Sequence, residues 1–356
     1  MKAFGFLVGK QDSPGVAVSG GSDSMALLVL AAEYAATQGV SCFAVTVDHG
    51  LRPEAASEAR HVRRVCSKLG VQHTILRWRR EAEDAVGRAV SQDEARQARH
   101  RLMATWAQRV GARRLALGHT RDDRLETFLM RARQGSGWHG LAGLMPNGCS
   151  PVWPEGRELS LVRPLLAFGR EELRDELRAR GIDWVEDPSN EASRFERVRM
   201  RRLLARMDQR TREKALHVMD GLTRMRAAVS AEATALVSRT QIDVENETAE
   251  LPLTALTAAS DEGVRRAVEG LIMAAGGAQR GPRRDALDRL LQRIAANDPE
   301  LAGGVTLAGA KIRVRRGGLL SVSQAPARRG MSGPPPPDWD RATRLLEAPD
   351  LRVLAV

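Results

Sequence analysis

The stretch Val16-Ala17-Val18-Ser19-Gly20-Gly21-Ser22-Asp23-Ser24-Met25-Ala26-Leu27-Leu28-Val29-Leu30 decides how the rest of the chain is read. An apolar run of strand type passes through two glycines and three hydroxyls straight into an apolar run of helix type. Glycines let a backbone turn tightly and approach a ligand, and the first N–H groups of a helix, having no partner within it, face negative charge. Residues 19–24 therefore form an anion cradle in which Ser19, Gly20, Gly21, Ser22 and Ser24 supply backbone and hydroxyl donors. An acidic residue is out of place there unless a cation comes too, which makes Asp23 the candidate Mg2+ ligand on a bound triphosphate. The plainer alternative is a turn with a helix cap, since Ser and Asp are common caps. The loop is not the G-x-x-x-x-G-K-S/T phosphate loop, and it has no lysine to reach terminal phosphates.

Around this bend, strand-like segments at 15–18, 40–47, 72–76 and 114–117 alternate with helical ones at 24–38, 54–69 and 91–110. That alternation predicts an α/β fold with a Rossmann-like parallel sheet. Ligands collect at the carboxyl ends of such strands. The unusual residues fall there: the loop after the first strand, Asp48 and His49 after the second, residues 118–123 after the fourth. Segments 134–143 and 146–164 read as loops and 170–180 as a short helix. From 195 to 239 the spacing of Met200, Leu203, Leu204, Met207, Leu216, Met219 and Leu222 suits helices with Arg on the other face. Residues 251–297 read as helical with a break at 276–282, residues 304–322 as a hairpin or small sheet, and 324–338, with Pro334 to Pro337, as an extended linker. The expected domains are a catalytic one at 1–202, a helical linker and mainly helical C-terminal domain at 203–323, and a Pro-rich linker and tail at 324–356.

A length of 356 residues suits two domains or three, and 43% hydrophobic with 28% charged residues is the balance of a soluble globular chain. No apolar run is long enough to span a membrane, and residues 1–10 lack a basic segment followed by a long apolar core, so the expected location is the cytoplasm. Cys42, Cys66 and Cys149 are scattered and suggest neither a zinc site nor a redox pair. The net charge of +11 favours a polyanionic partner. Yet nearly all the basic residues are Arg in an Ala- and Gly-rich chain, a bias that genome base composition also produces, so charge alone leaves nucleic acid open.

Ser19-Gly20-Gly21-Ser22-Asp23-Ser24 after an apolar strand resembles the PP-loop signature of the ATP pyrophosphatases, enzymes that activate a carbonyl as its adenylate and release pyrophosphate. Further segments are similar to those of the tRNA(Ile)-lysidine synthases. They include Thr46-Val47-Asp48-His49-Gly50-Leu51-Arg52 and the run Gly118-His119-Thr120-Arg121-Asp122-Asp123-Arg124-Leu125-Glu126-Thr127, in which the family usually has His where Thr120 stands. Arg133-Gln134-Gly135-Ser136-Gly137, Arg163-Pro164-Leu165-Leu166, Asp187-Pro188-Ser189-Asn190 and Phe195-Glu196-Arg197 resemble the family as well, as do Arg96 and Arg99. A weaker resemblance to the family's tRNA-binding tail lies around Gly281-Pro282-Arg283-Arg284 and from Gly309 to Gly318.

The resemblance implies ATP and Mg2+ as cofactors, and tRNA(Ile) with a CAU anticodon and L-lysine as partners. The implied reaction adenylates the C2 carbonyl oxygen of the first anticodon cytidine; lysine then displaces AMP to give lysidine. It implies nucleotide contacts by residues 19–24, Asp48, His49, Gly118 and His119, and catalytic roles for Asp23, Asp123, Glu126 and Arg197, with Arg201 beside it. Asp123 and Glu126 lie three apart at a predicted helix start, so their carboxylates share a face and suit a lysine ammonium. By spacing alone an acidic first turn, favoured by the helix dipole, is the better reading; the family motif reverses that. No membrane partner is expected, and self-association as a homodimer is left open. The rival readings are tRNA cytidine thiolation by a related PP-loop enzyme, which in its usual form wants a Cys cluster, and a non-catalytic tRNA-binding protein.

Overall fold

After a short helix α1 (Lys2–Val8), the apolar run ahead of the glycine bend becomes β1 (Gly15–Ala17) and the run behind it α2 (Ser22–Gln38) in the computed structural model, which describes residues 2–8, 12–48, 55–78, 91–186, 196–326 and 336–355. There follow β2 (Phe43–Asp48), α3 (Ala55–Lys68), β3 (Gln72–Arg77), α4 (Gln92–Val110), β4 (Arg114–Ala116) and α5 (Arg121–Arg133). The chain continues through α6 (Trp138–Leu141), β5 (Asn147–Cys149), β6 (Ser160–Val162), α7 (Arg170–Ala179), α8 (Glu196–Arg206) and α9 (Gln209–Val237).

The first sheet has the order β3-β2-β1-β4-β6-β5, parallel throughout except for β5. The central strands β1 and β2 are mostly apolar, as strands covered on both faces require, whereas β3 at one edge carries Gln72, His73, Thr74 and Arg77. Val16, Ala44 and Leu115 are fully buried. α2 is buried along much of its length, and fully enclosed side chains such as Met25, Leu27 and Leu28 each contribute about 1.5–3 kcal/mol. The chain winds from β1 to β2 and β3 on one side and returns to β4 on the other, so the order reverses between β1 and β4. The crevice beyond the carboxyl ends of those two strands is where this topology holds ligands, and both expected motifs open from it.

The compact units differ from the expected boundaries. The first comprises residues 1–224 together with 349–356, the second residues 225–348. The break falls after 224 rather than after 202 because Leu204 of α8 and Met219 of α9 pack with Leu125 of α5, while Arg124 and Asp220 form an ion pair at 2.6 Å. Nor is 324–356 a separate tail. Val353, fully buried, joins the core that contains Phe4 and Leu7, and the Asp350 N–H donates to Asn147 Oδ1 at 2.7 Å. Of the prolines expected to form a linker, Pro334 and Pro335 lie outside the described residues, while Pro326, Pro336 and Pro337 lie in chain without regular secondary structure.

The second unit is helical, with α10 (Leu253–Leu256), α11 (Asp261–Gly276), α12 (Arg284–Ala295) and α13 (Trp339–Leu345). It also carries an antiparallel sheet of β7 (Gln241–Asp243), β8 (Thr248–Pro252), β9 (Val305–Leu307), β10 (Ala310–Arg315) and β11 (Leu319–Gln324), ordered β7-β8-β11-β10-β9. Only the part within 304–322 was expected from the sequence. Among the described residues, no helix is long and apolar enough to cross a membrane.

Candidate active site

The bend after β1 is held by its last serine. Ser24 Oγ accepts from the Ser19 and Gly20 N–H groups at 3.1 and 3.2 Å and donates to Gly21 O at 2.9 Å. Ser24 is thus a staple of the cradle, and two of the donors expected to face a ligand are turned inward onto it. What remains open is the start of α2, whose N-cap residue Gly21 makes no side-chain cap, so the first-turn N–H groups of this helix are left for an anion. Gly20 sits at φ +93°, a region that only glycine enters cheaply, and its carbonyl accepts from Val185 N at 2.9 Å. Gly118, following β4, runs so close to the loop that a Cβ there would lie 3.1 Å from Asp23 O and from Ser24 N. The two motifs are therefore packed backbone to backbone.

Asp123 divides its two oxygens between the helix start and the arginines of the cleft. Thr120 and Asp123 form a capping box at the start of α5, with Asp123 Oδ2 accepting from Thr120 N at 2.8 Å. The other oxygen, Oδ1, accepts from Arg197 at 2.6 Å and from Arg170 at 3.2 Å. Glu126, one turn on and only 1% exposed, accepts from Arg197 Nε at 2.6 Å and from Arg201 Nε at 2.7 Å, with Arg170 3.6 Å away. Arg170 also reaches Asp23 at 3.1 Å, so one guanidinium ties the cradle to the acidic pair. Its backbone N–H donates to Asp122 at 2.8 Å.

Three carboxylates, Asp23, Asp123 and Glu126, thus meet the three guanidiniums of Arg170, Arg197 and Arg201, with Asp122 beside them on the Arg170 backbone N–H. Burial and then the neighbouring Asp123 charge push the Asp23 pKa above its ordinary value, against the opposing pull of Arg170. Asp123 goes the other way. Burial favours its neutral form, but Arg197 and Arg170 outweigh that and hold it ionised, below the usual carboxylate range. A buried, hydrogen-bonding hollow whose carboxylates are held by guanidiniums is suited to a cation that takes the place of one of them, such as an ammonium.

Asp23, Asp122, Asp123, Arg170, Arg197 and Arg201 line one cleft of about 750 Å3, which also takes in Asp48 at the end of β2, together with Gly118, His119 and Arg99; Glu126, 1% exposed, is not part of the lining but ion-pairs with its arginines. His119 is pushed down to about 3, chiefly by burial and then by Arg163, so it is neutral at physiological pH; its Nδ1 has no hydrogen-bond partner among the described residues. Arg99 is destabilised as a cation by burial and by Arg96. The cleft thus has an acidic middle, an open helix start at one part of its wall and cationic or neutral nitrogen donors at another.

The expected site residues within the described part line this cleft or its loop, except Glu126, which is connected to it through Arg197 and Arg201; His49, with Asp187 to Asn190 and Phe195, lies outside the described residues. The residues that sequence reading passed over are Arg170 and Arg174, both on α7. A signal for Arg170 existed. It stands in the first turn of a helix, where a cation opposes the helix dipole, and such a placement needs local carboxylates to offset it.

A family model described as the PP-loop domain matches residues 7–207. The chain is 42% identical over 306 residues to the tRNA(Ile)-lysidine synthase of Hyphomonas neptunium, an alignment that covers 86% of this chain and 80% of that protein. It is 37% identical to the tRNA(Ile)-lysidine synthase of Ruegeria pomeroyi, covering 85% of this chain and 70% of the relative. Among solved structures, the U34-tRNA thiolase NcsA from Methanococcus maripaludis with its [4Fe-4S] cluster aligns with a TM-score of 0.52 at 16% identity, over 63% of this chain and 77% of the other. That likeness concerns the fold alone.

Proposed function

The chain belongs to the tRNA(Ile)-lysidine synthase family of PP-loop proteins, and from that premise we propose that it splits ATP to AMP and pyrophosphate to join L-lysine to C2 of the first anticodon cytidine of tRNA(Ile). In the first step the C2 carbonyl oxygen of the cytidine attacks the α-phosphorus of ATP and pyrophosphate leaves with the electron pair of the broken P–O bond. In the second, the side-chain amine of lysine attacks C2 and AMP departs with the oxygen. The observation that carries this reading is the placing of Asp23, Asp123 and Glu126 around one guanidinium, that of Arg170, at the mouth of the β1–β4 crevice.

Residues 19–24 with Gly118 are the proposed phosphate and nucleotide cradle, with Asp48 and His119 beside it in the same cleft. Among the described residues no set of three or more His, Cys, Asp or Glu is arranged to hold a metal by itself. Asp23 fits an ion that arrives with the triphosphate, since Mg2+ is commonly held by one or two carboxylates plus substrate phosphates. Asp123, kept ionised by its arginines, suits orientation of the lysine ammonium, with Glu126 completing the pair. Lys311, Arg313 and Arg316, on β10 and the turn after it, are proposed to meet tRNA phosphates, which position without reading sequence. The cytoplasm, where tRNA and ATP meet, is the proposed location.

The donor set speaks against thiolation. Cys42 and Cys66 lie in the apolar core with thiols pushed up to about 12, Cys42 and Cys66 alike by burial, and Cys149 is the third and last cysteine of the chain. Incubation with ATP, Mg2+, labelled lysine and tRNA tests the proposal: label should enter tRNA(Ile) with a CAU anticodon, and its failure to enter any tRNA while ATP is still turned over would overturn it.

A further inference from the structure

The PP-loop here has no lysine, and Arg170, the guanidinium closest to its acidic residue, is already committed to Asp23, Asp123 and Glu126. A pyrophosphate leaving group carries more charge than an uncapped helix start and one Mg2+ neutralise, so a further cation at the loop is called for. One turn along α7 from Arg170 stands Arg174, whose side chain is 24% exposed and lines the cleft. Its Nε lies 3.4 Å from Ser22 Oγ, at the first position of α2.

The guanidinium is held in place on its other sides. It lies over the Trp184 ring at 6.0 Å, and its terminal nitrogens meet Glu171 at 2.8 Å and Glu186 at 3.2 Å. Glu186 is itself fixed by the Trp184 indole N–H at 2.7 Å, and Val185, between the two, donates its N–H to the Gly20 carbonyl. Both glutamates are 68% exposed, so their ion pairs are weak and readily exchanged for a phosphate oxygen. The planar fork of an arginine suits two oxygens of one phosphate.

We propose that Arg174 binds the β- and γ-phosphates of ATP and stabilises pyrophosphate as it leaves, doing from a neighbouring helix what a lysine does within other phosphate loops. The inference rests on the adenylation chemistry proposed above: the Pα–O bond to the β-phosphate breaks, its electron pair stays on pyrophosphate, and Arg174 with Mg2+ meets the charge so released. The role predicts an effect on ATP and pyrophosphate but none on lysine.

The test is calorimetric titration of the full chain with Mg-pyrophosphate and with Mg-ATP, without tRNA or lysine, alongside steady-state kinetics. Arg174→Ala should weaken pyrophosphate binding at least tenfold and raise the KM for ATP, with the KM for lysine within twofold of wild type. Arg174→Lys should restore part of the loss. Glu171→Gln, which removes a competing carboxylate, should tighten pyrophosphate binding several-fold, an outcome that a purely structural role for Arg174 does not give. Pyrophosphate affinity unchanged in Arg174→Ala, with ATP bound normally, overturns the role of Arg174 and leaves the functional reading standing. Wild-type protein that binds neither ATP nor pyrophosphate overturns both.

Discussion

Replacing Arg170 by Met removes one charge that three carboxylates share while keeping most of the side chain's volume. Arg170 is 19% exposed on the side chain, Asp123 6% and Glu126 1%. Breaking a buried ion pair by deleting one partner costs roughly 3–5 kcal/mol, because the other charge stays buried without compensation. Asp123 and Glu126 keep Arg197 and Arg201, so the lower end, about 3 kcal/mol, is expected, and the unpaired group is Asp23. A unit of this size loses roughly 2–4 °C per kcal/mol, which gives a fall of roughly 6–12 °C in its melting temperature at pH 8. The deficit should depend on pH with a definite sign. Asp23 already has a raised folded pKa, and Arg170 is the group that opposes that rise, so the variant raises it further. A carboxyl whose folded pKa exceeds its unfolded value near 3.8 takes up a proton on folding, and the stability this gives is lost as pH rises through the folded value. Scanning calorimetry at pH 5 and pH 8 should therefore show the smaller deficit at pH 5. A variant that melts within 2 °C of wild type at both pH values would refute the view that this guanidinium holds the acidic site together.

Asp123→Asn and Glu126→Gln should each raise the KM for lysine by tenfold or more, roughly the effect of losing one charge-assisted contact, while tRNA-dependent ATP–pyrophosphate exchange persists. Equal loss of exchange and of lysine incorporation would place the pair in the nucleotide step instead. His119, pushed down to about 3, should show no imidazole titration between pH 5 and 8 by NMR; a midpoint near 6.5 would mean that it is exposed to solvent. Gly118→Val brings a branched side chain against the Asp23 and Ser24 backbone at 3.1 Å and should weaken ATP binding more than lysine binding, measured by separate titrations.

Much of this architecture was legible in residue order. The strand, glycine bend and helix at 15–38 are local features, each set by apolar spacing and by glycines whose backbone geometry needs no distant partner. The Asp123–Glu126 pair was likewise visible because a helix start fixes its spacing. Arg170 was passed over as a site residue: its first-turn position calls for carboxylate partners but does not name them, since they are about fifty to one hundred and fifty residues away. Ser24 was read as a ligand-facing hydroxyl, but its position three residues after Gly21 lets it close the loop on itself. β5 and β6 are three-residue strands in a Gly- and Pro-containing stretch, too short for alternation to show; β6 exists because β4 offers an edge to pair with, and β5 because β6 then offers the next. The end of the first unit was missed for the same reason as the tail: burial of Met219 and of Val353 depends on surfaces formed far earlier in the chain.

The central claim is that nucleotide and lysine meet in one cleft, and a crystal structure of the protein with a non-hydrolysable ATP analogue, Mg2+ and L-lysine tests it most directly. The account predicts phosphates against residues 19–24 and the lysine ammonium within hydrogen-bonding distance of Asp123 or Glu126. Lysine bound away from both carboxylates, or phosphates remote from the glycine bend, would contradict it.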